Sequence, residues 1–126
     1  MYLLDTTFLI DYLADRENFI EKFRDLSERE LYISVVSVAE VLSGDSKKRT
    51  EEIKSFLDLF IKVPVTYQIA VRAGEMRANL RRKGYKKSIA DILIAQTAIE
   101  HNLILVTGNP KDFPQLATRK LLLPFP

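Results

Sequence analysis

The chain contains no cysteine. That excludes disulfides, thiolate metal sites and thiol nucleophiles, and it fits a reducing compartment. Histidine is almost as scarce, with His101 the only one, so neither a multi-histidine zinc site nor a serine triad is expected. A resident metal would have to be held mainly by oxygen, which is the preference of Mg²⁺ or Mn²⁺. Long apolar runs are missing too. Each is broken by charge well short of the roughly 20 residues needed to span a bilayer. Asp5 and Asp11 interrupt the first apolar segment, which argues against a secretory leader and for a cytoplasmic protein. Net charge is also modest: 19 basic against 17 acidic side chains leave +2, which by itself does not announce a nucleic-acid partner.

What is present is an ordinary globular composition. The 126 residues, 47% of them apolar, are enough for one domain, 1–126, with its own core. The opening stretch sets the pattern. Tyr2, Leu3 and Leu4 read as a short buried strand, and Thr6 and Thr7 start a helix that carries Phe8, Leu9, Tyr12 and Leu13 at helical spacing. Asp5 stands between them, at the carboxyl end of a first strand. That edge is where open α/β sheets bind ligands.

The remaining sequence repeats the alternation. A polar break at Asp15–Asn18 precedes a helix with Phe19, Ile20, Phe23 and Leu26. Leu31–Val36 reads as a second strand, and Ser37 opens a helix running to Gly44. A charged turn, Asp45 to Arg49, leads to Thr50 as the cap of an amphipathic helix with Ile53, Phe56, Leu57 and Phe60 inward. Val63–Val65 is a third strand. Thr66 caps a longer helix with a buried stripe of Ile69, Ala73, Met76 and Leu80, ended by Gly84. Ser88 starts an almost wholly apolar helix, Ile89 to Glu100, which Asn102 closes. Leu103–Val106 is a fourth strand and Leu121–Leu123 an edge strand. Strands alternating with helices imply an α/β/α sandwich around a mainly parallel sheet of four or five strands, with right-handed crossovers.

Four acids stand out by context. Asp5 follows the first strand, Glu40 lies early in the helix after the second, and Asp112 follows the loop after the fourth. Asp91 is the sole charge between Lys87 and Glu100. Each has a plain structural reading: Ser37-x-x-Glu40 and Ser88-x-x-Asp91 have capping-box spacing, Asp5 could cap the first helix, and Asp112 could belong to a turn. Taken together they point elsewhere. Clustered carboxylates repel one another, and a divalent cation removes that penalty. Such a cluster would bind Mg²⁺ or Mn²⁺ and could support phosphodiester hydrolysis.

Four blocks now carry a family resemblance: Leu4-Asp5-Thr6-Thr7-x-Leu9-Ile10, Ile33 to Leu42 around Glu40, Ala90-Asp91-Ile92-Leu93-Ile94-Ala95, and Leu105 to Phe113 around Asp112. In order and spacing they resemble PIN-domain ribonucleases, and most of all the VapC toxins of prokaryotic toxin–antitoxin pairs. The resemblance implies a PIN-like fold and a metal-dependent endoribonuclease. Asp5, Glu40, Asp91 and Asp112 would hold Mg²⁺ or Mn²⁺, supported by Thr7, Thr107 and Asn109. Relatives often carry asparagine at the position of Thr7. Some carry a fifth acid at the position of Ile89, so four acids are expected here. It also implies a small VapB-like antitoxin and, commonly, a homodimer.

Between Arg77 and Lys87 lie six basic residues: Arg77, Arg81, Arg82, Lys83, Lys86 and Lys87. Arg81, Arg82, Lys86 and Lys87 are candidates to neutralise RNA phosphates; otherwise they are a solvated helix end complementing its dipole. Tyr85 could stack on a base or be a plain surface residue. His101 reads as a helix-end residue. Phe8, Tyr12, Phe19 and Phe23 belong to the core or, where exposed, to a groove for an amphipathic partner helix. Other functions weighed are a housekeeping RNA-processing nuclease, a catalytically silent RNA-binding PIN module, a receiver domain and a haloacid-type phosphatase. A receiver would need an acidic neighbour beside Asp5 and an aspartate near Val63–Thr66. The phosphatase would need an acid where Thr7 stands.

Overall fold

The structure, a computed structural model, describes residues 1–22, 24, 29–44, 49–107 and 120–122. Its elements run β1 (Tyr2–Leu4), α1 (Thr6–Ala14), α2 (Arg16–Lys22), β2 (Leu31–Ser34), α3 (Val35–Ser43), α4 (Thr50–Leu57), β3 (Ile61–Val63), α5 (Tyr67–Arg82), α6 (Ile89–Glu100), β4 (Ile104–Thr107) and β5 (Lys120–Leu122). The five strands form one sheet in the order β3-β2-β1-β4-β5, every neighbouring pair parallel. The expected α/β sandwich is therefore present. The order also excludes a receiver, whose sheet runs 2-1-3-4-5.

Strand alternation divides the core into two layers. Leu4, Ile33 and Val106 point to one face, where they meet Phe8, Leu9 and Tyr12 of α1, Phe19 of α2, Val41 of α3, and Ile53, Phe56 and Leu57 of α4. Leu3, Leu105 and Val63 point to the other, against Ala73 and Leu80 of α5 and Ile92, Ala95 and Ala98 of α6. Crossover handedness explains this division. From β1 to β3 the chain steps outward in one direction, so the connecting helices share one face. The return from β3 to β4 reverses direction and puts α5 and α6 on the other.

Of the early aromatics, Phe8, Tyr12 and Phe19 are core. The rings of Tyr12 and Phe19 stack at 4.0 Å, and Phe56 meets both Tyr12 and Phe60 edge-on at 5.2 Å. Phe23 and Leu26 lie outside the described residues. α1 instead turns Ile10 outward, 47% exposed.

Several boundaries differ from expectation, each for a local reason. β2 stops at Ser34, whose Oγ accepts the N–H of Val36 and caps α3; the apolar pair Val35-Val36 is the first turn of a helix and not the end of a strand. The polar break before α2 is itself a cap, with Asp15 Oδ1 accepting from the Asn18 N–H at 3.3 Å. β3 ends before Pro64, which has no N–H to give a ladder. Leu103 cannot open β4 because its N–H closes α6 on the carbonyl of Ala98 at 2.8 Å, with Asn102 at φ 54° in between. β5 includes Lys120 as well as Leu121 and Leu122, and Leu123, the last residue expected of it, lies outside the described residues. Thr50 is the first helical residue of α4 rather than its cap. The caps Thr66 and Ser88 are as expected, accepting from the N–H groups of Ile69 and Asp91 at 3.2 and 3.1 Å.

Phe56 is 1% exposed and joins α4 to the aromatic cluster under the sheet. Phe56→Ala should lower stability by about 3–5 kcal/mol, the usual cost of an aromatic-sized cavity. Urea denaturation with an unchanged m-value tests this; a loss under 1 kcal/mol would mean the site collapses around the gap.

Candidate active site

The sheet order places its switch point between β1 and β4, where the outward and returning crossovers part. Asp5 sits there. Its N–H continues the β1–β4 ladder by donating to the carbonyl of Val106 at 2.9 Å, and its own carbonyl accepts from Leu9 in the first turn of α1. The side chain is 4% exposed. One carboxylate oxygen accepts the N–H of Thr6 at 2.8 Å, capping α1, and the other accepts the hydroxyl of Thr107 at 2.8 Å. Two hydrogen bonds from opposite sides thus fix the plane of the carboxylate at the carboxyl edge of the sheet.

A second acid is tied to the first through Thr6. Its hydroxyl donates to Glu40 Oε1 at 2.7 Å and lies 2.9 Å from the hydroxyl of Ser37. A hydroxyl has one proton, so with that proton on Glu40 the Ser37 hydroxyl is the donor to Thr6. The chain Ser37 to Thr6 to Glu40 therefore has a direction. Asp5, Thr6, Ser34, Ser37 and Thr107 are all buried, against only Gln96 and Thr97 among the remaining buried polar residues described. Buried polar groups cost free energy unless satisfied. This concentration at one end of the sheet marks the site.

The remaining candidates divide. Asp91 is half-buried in the first turn of α6, its N–H on Ser88 Oγ, so one half of the capping box is formed. Ser37-x-x-Glu40 is not a capping box: Ser34 is the cap and Ser37 faces Thr6. Thr107, the first of the last block's two polar candidates, donates its hydroxyl to Asp5. Thr7 is exposed, and its neighbour Thr6 carries the network. Asn109 and Asp112 lie outside the described residues. Among those described, no three carboxylates or histidines come together as a metal-binding group. His101 caps the far end of α6, about 15 Å along the axis from Asp91 at 1.5 Å per residue.

The donor chemistry suits a hard divalent ion. Mg²⁺ is commonly held by only one or two carboxylates, its other positions going to water and substrate phosphate. Asp5 and Glu40, bridged by one threonine, provide such a pair of oxygen donors, and the chain has no thiolate to compete for the ion.

Arg81 and Arg82 occupy the last turn of α5, and Lys83 follows as its cap. Arg81, Arg82 and Lys86 are exposed and Lys87 half-buried. Arg77 instead donates Nε–H to the carbonyl of Lys87 at 3.1 Å, bracing the loop before α6.

Comparison with known proteins agrees with this architecture. The PIN domain family model matches residues 2–118. The ribonuclease VapC10 of Mycobacterium tuberculosis is 36% identical over 124 residues, covering 95% of this chain and 91% of its own. The tRNA(fMet)-specific endonuclease VapC of Salmonella typhimurium is 26% identical, with 91% of each chain covered. Among solved structures, a DNA-bound VapBC complex from Salmonella typhimurium superposes with a TM-score of 0.82 at 26% identity, covering 96% of both chains. A toxin–antitoxin complex from Klebsiella pneumoniae gives 0.74 at 28% identity, covering 93% of both. The chain belongs to the PIN-domain family, in its VapC branch.

Thr6 and Thr7 offer a direct test of the network. Thr6→Val keeps the shape but leaves Glu40 and Ser37 without their partner, and should cost about 1–3 kcal/mol. Thr7→Val, at an exposed position, should stay within about 0.5 kcal/mol. Equal denaturation midpoints for the two variants would deny Thr6 this role.

Proposed function

We propose that the chain is a metal-dependent endoribonuclease and the toxin of a toxin–antitoxin pair, with residues 1–126 forming one PIN domain acting in the cytoplasm. The observation that carries this reading is the buried Asp5 carboxylate at the sheet's switch point, joined to Glu40 through the hydroxyl of Thr6. The names of the relatives support the ribonuclease activity, and the solved complexes support a partner protein.

In this reading Asp5 and Glu40, the pair that Thr6 joins, would hold Mg²⁺ or Mn²⁺, with Asp91, and Asp112 from the segment after β4, completing the acidic site when the ion binds. The ion, when bound, supplies an activated water and stabilises the leaving oxygen of a phosphodiester. The chain's own residues set the geometry. The Thr107 hydroxyl and the Thr6 N–H hold Asp5 in one orientation, and Thr6 and Ser37 hold Glu40. Arg81, Arg82, Lys86 and Lys87 neutralise phosphates of the RNA as it approaches. A housekeeping nuclease would use the same acids and an RNA-binding module the same cations; it is the likeness to VapC ribonucleases and to solved toxin–antitoxin complexes that favours the toxin.

The antitoxin side of the proposal has a place on the surface. Ile10, Leu13 and Ala14 of α1 and Val41 of α3, with Gly44 and Arg49, line a cavity of about 160 Å³. The occupant is the apolar face of an amphipathic helix from a small VapB-like protein. A homodimer of the toxin completes the proposed assembly.

The test is cleavage of single-stranded RNA by purified protein with Mg²⁺, Mn²⁺ or EDTA, beside Asp5→Asn and Asp91→Asn. Loss of outer-shell partners costs metal sites about 10–100-fold, so loss of a ligand should reduce cleavage by more than about 100-fold while the fold survives. Cleavage that persists in EDTA or in both variants would overturn the metal site. Absence of cleavage by folded, metal-replete wild type on several RNAs would favour a binding-only PIN fold.

A further inference from the structure

The loop between α5 and α6 is short, basic and fixed. Gly84 adopts φ +88°, a conformation that suits glycine. Its N–H donates to the carbonyl of Arg81 at 3.0 Å, and the Tyr85 N–H donates to that of Leu80 at 2.9 Å. Together these form a Schellman closure of α5. Arg77 Nε–H binds the carbonyl of Lys87, and Ser88 caps α6, so the loop is held at both ends. Such a closure usually lets the residue at the position of Tyr85 pack back on the helix. Tyr85 nonetheless remains 41% exposed.

An aromatic ring on a fixed backbone, held partly in solvent, is ready to bind at little further ordering cost. Its surroundings narrow the ligand. Arg81, Arg82 and Lys86 are exposed around it in the chain, and Ile89, at the start of α6, is 42% exposed. Only Lys86 and Lys87 separate Tyr85 from Ser88, the cap of α6, at most about 10 Å of chain. Asp91 lies in the next turn. An apolar ring on a fixed loop, with cations as its exposed chain neighbours, matches a nucleobase whose neighbouring phosphates need neutralising.

We propose that Tyr85 is a stacking platform for one unpaired base of the RNA, with Lys86 and Arg81 on the flanking phosphates, and that it positions the strand at Asp91. This rests on the ribonuclease reading and narrows its substrate class. Bases paired in a duplex offer no free face, so the platform selects single-stranded or looped RNA.

The test measures binding in EDTA of a fluorescein-labelled single-stranded RNA of about ten nucleotides to the full chain and to Tyr85→Ala and Tyr85→Phe. Losing one base–aromatic stack should weaken Tyr85→Ala about 5- to 100-fold, with Tyr85→Phe within about twofold. The salt dependence should be unchanged, since no charge is lost. An abasic residue placed at one position of the RNA should abolish the difference between wild type and Tyr85→Ala. In cleavage assays KM should rise more than kcat falls. Equal losses in both variants, a loss indifferent to every abasic position, or wild-type affinity in Tyr85→Ala would each overturn the proposal. Wild type that cleaves RNA while Tyr85→Ala cleaves equally well would sink this inference alone. Wild type that neither binds nor cleaves RNA would remove the ribonuclease reading beneath it.

Discussion

Burying one carboxylate is the constraint around which this fold is arranged. An unsatisfied ionised group in the interior costs many kcal/mol, and hydrogen bonds to the charged form are what make it tolerable. Asp5 is 4% exposed and draws its donors from the first residue of α1 and the last of β4. Its position therefore demands that β1 and β4 be neighbours and that α1 start at once. The same side chain caps a helix, joins two strands and presents oxygen where the sheet edge opens. Structural and chemical readings of Asp5 are therefore compatible rather than rivals, and Asp91 likewise stands at the head of a helix, its N–H on the cap Ser88.

Much of this was legible in the sequence because the signals are local. Ser88 and Asn102 bracket α6, and Thr66 and Gly84 bracket α5, since caps and left-handed residues act within a few positions of themselves. The strand ends were read less well. Val35 and Val36 are as apolar and branched as any strand residue, and only the cap at Ser34 reveals that a helix has begun. Pro64 gave a warning that a strand could not run through it.

The candidate acids stood out in the sequence, whereas the role of Thr6 and Ser37 beside them did not. The bonds Thr6–Ser37, Thr6–Glu40 and Thr107–Asp5 span 31, 34 and 102 residues. No local pattern encodes pairings across such distances. Thr6 and Thr7 differ only in helical phase: one faces α3, the other solvent. The buried phase of the Thr6 hydroxyl was the available signal, and it becomes decisive only once α1 and α3 are known to pack together.

That packing has a mechanical consequence. The same two helices build both the polar link and the apolar cavity: α1 carries Thr6 at its start and Ile10, Leu13 and Ala14 further along, while α3 carries Ser37 and Glu40 beside Val41. Any ligand that prefers one spacing of α1 against α3 must also favour one length of the Thr6–Glu40 bond. By thermodynamic linkage the preference runs both ways with equal strength. A protein seated in that cavity and an ion or substrate at the sheet edge would thus sense each other through a single threonine hydroxyl, with no need for a long relay.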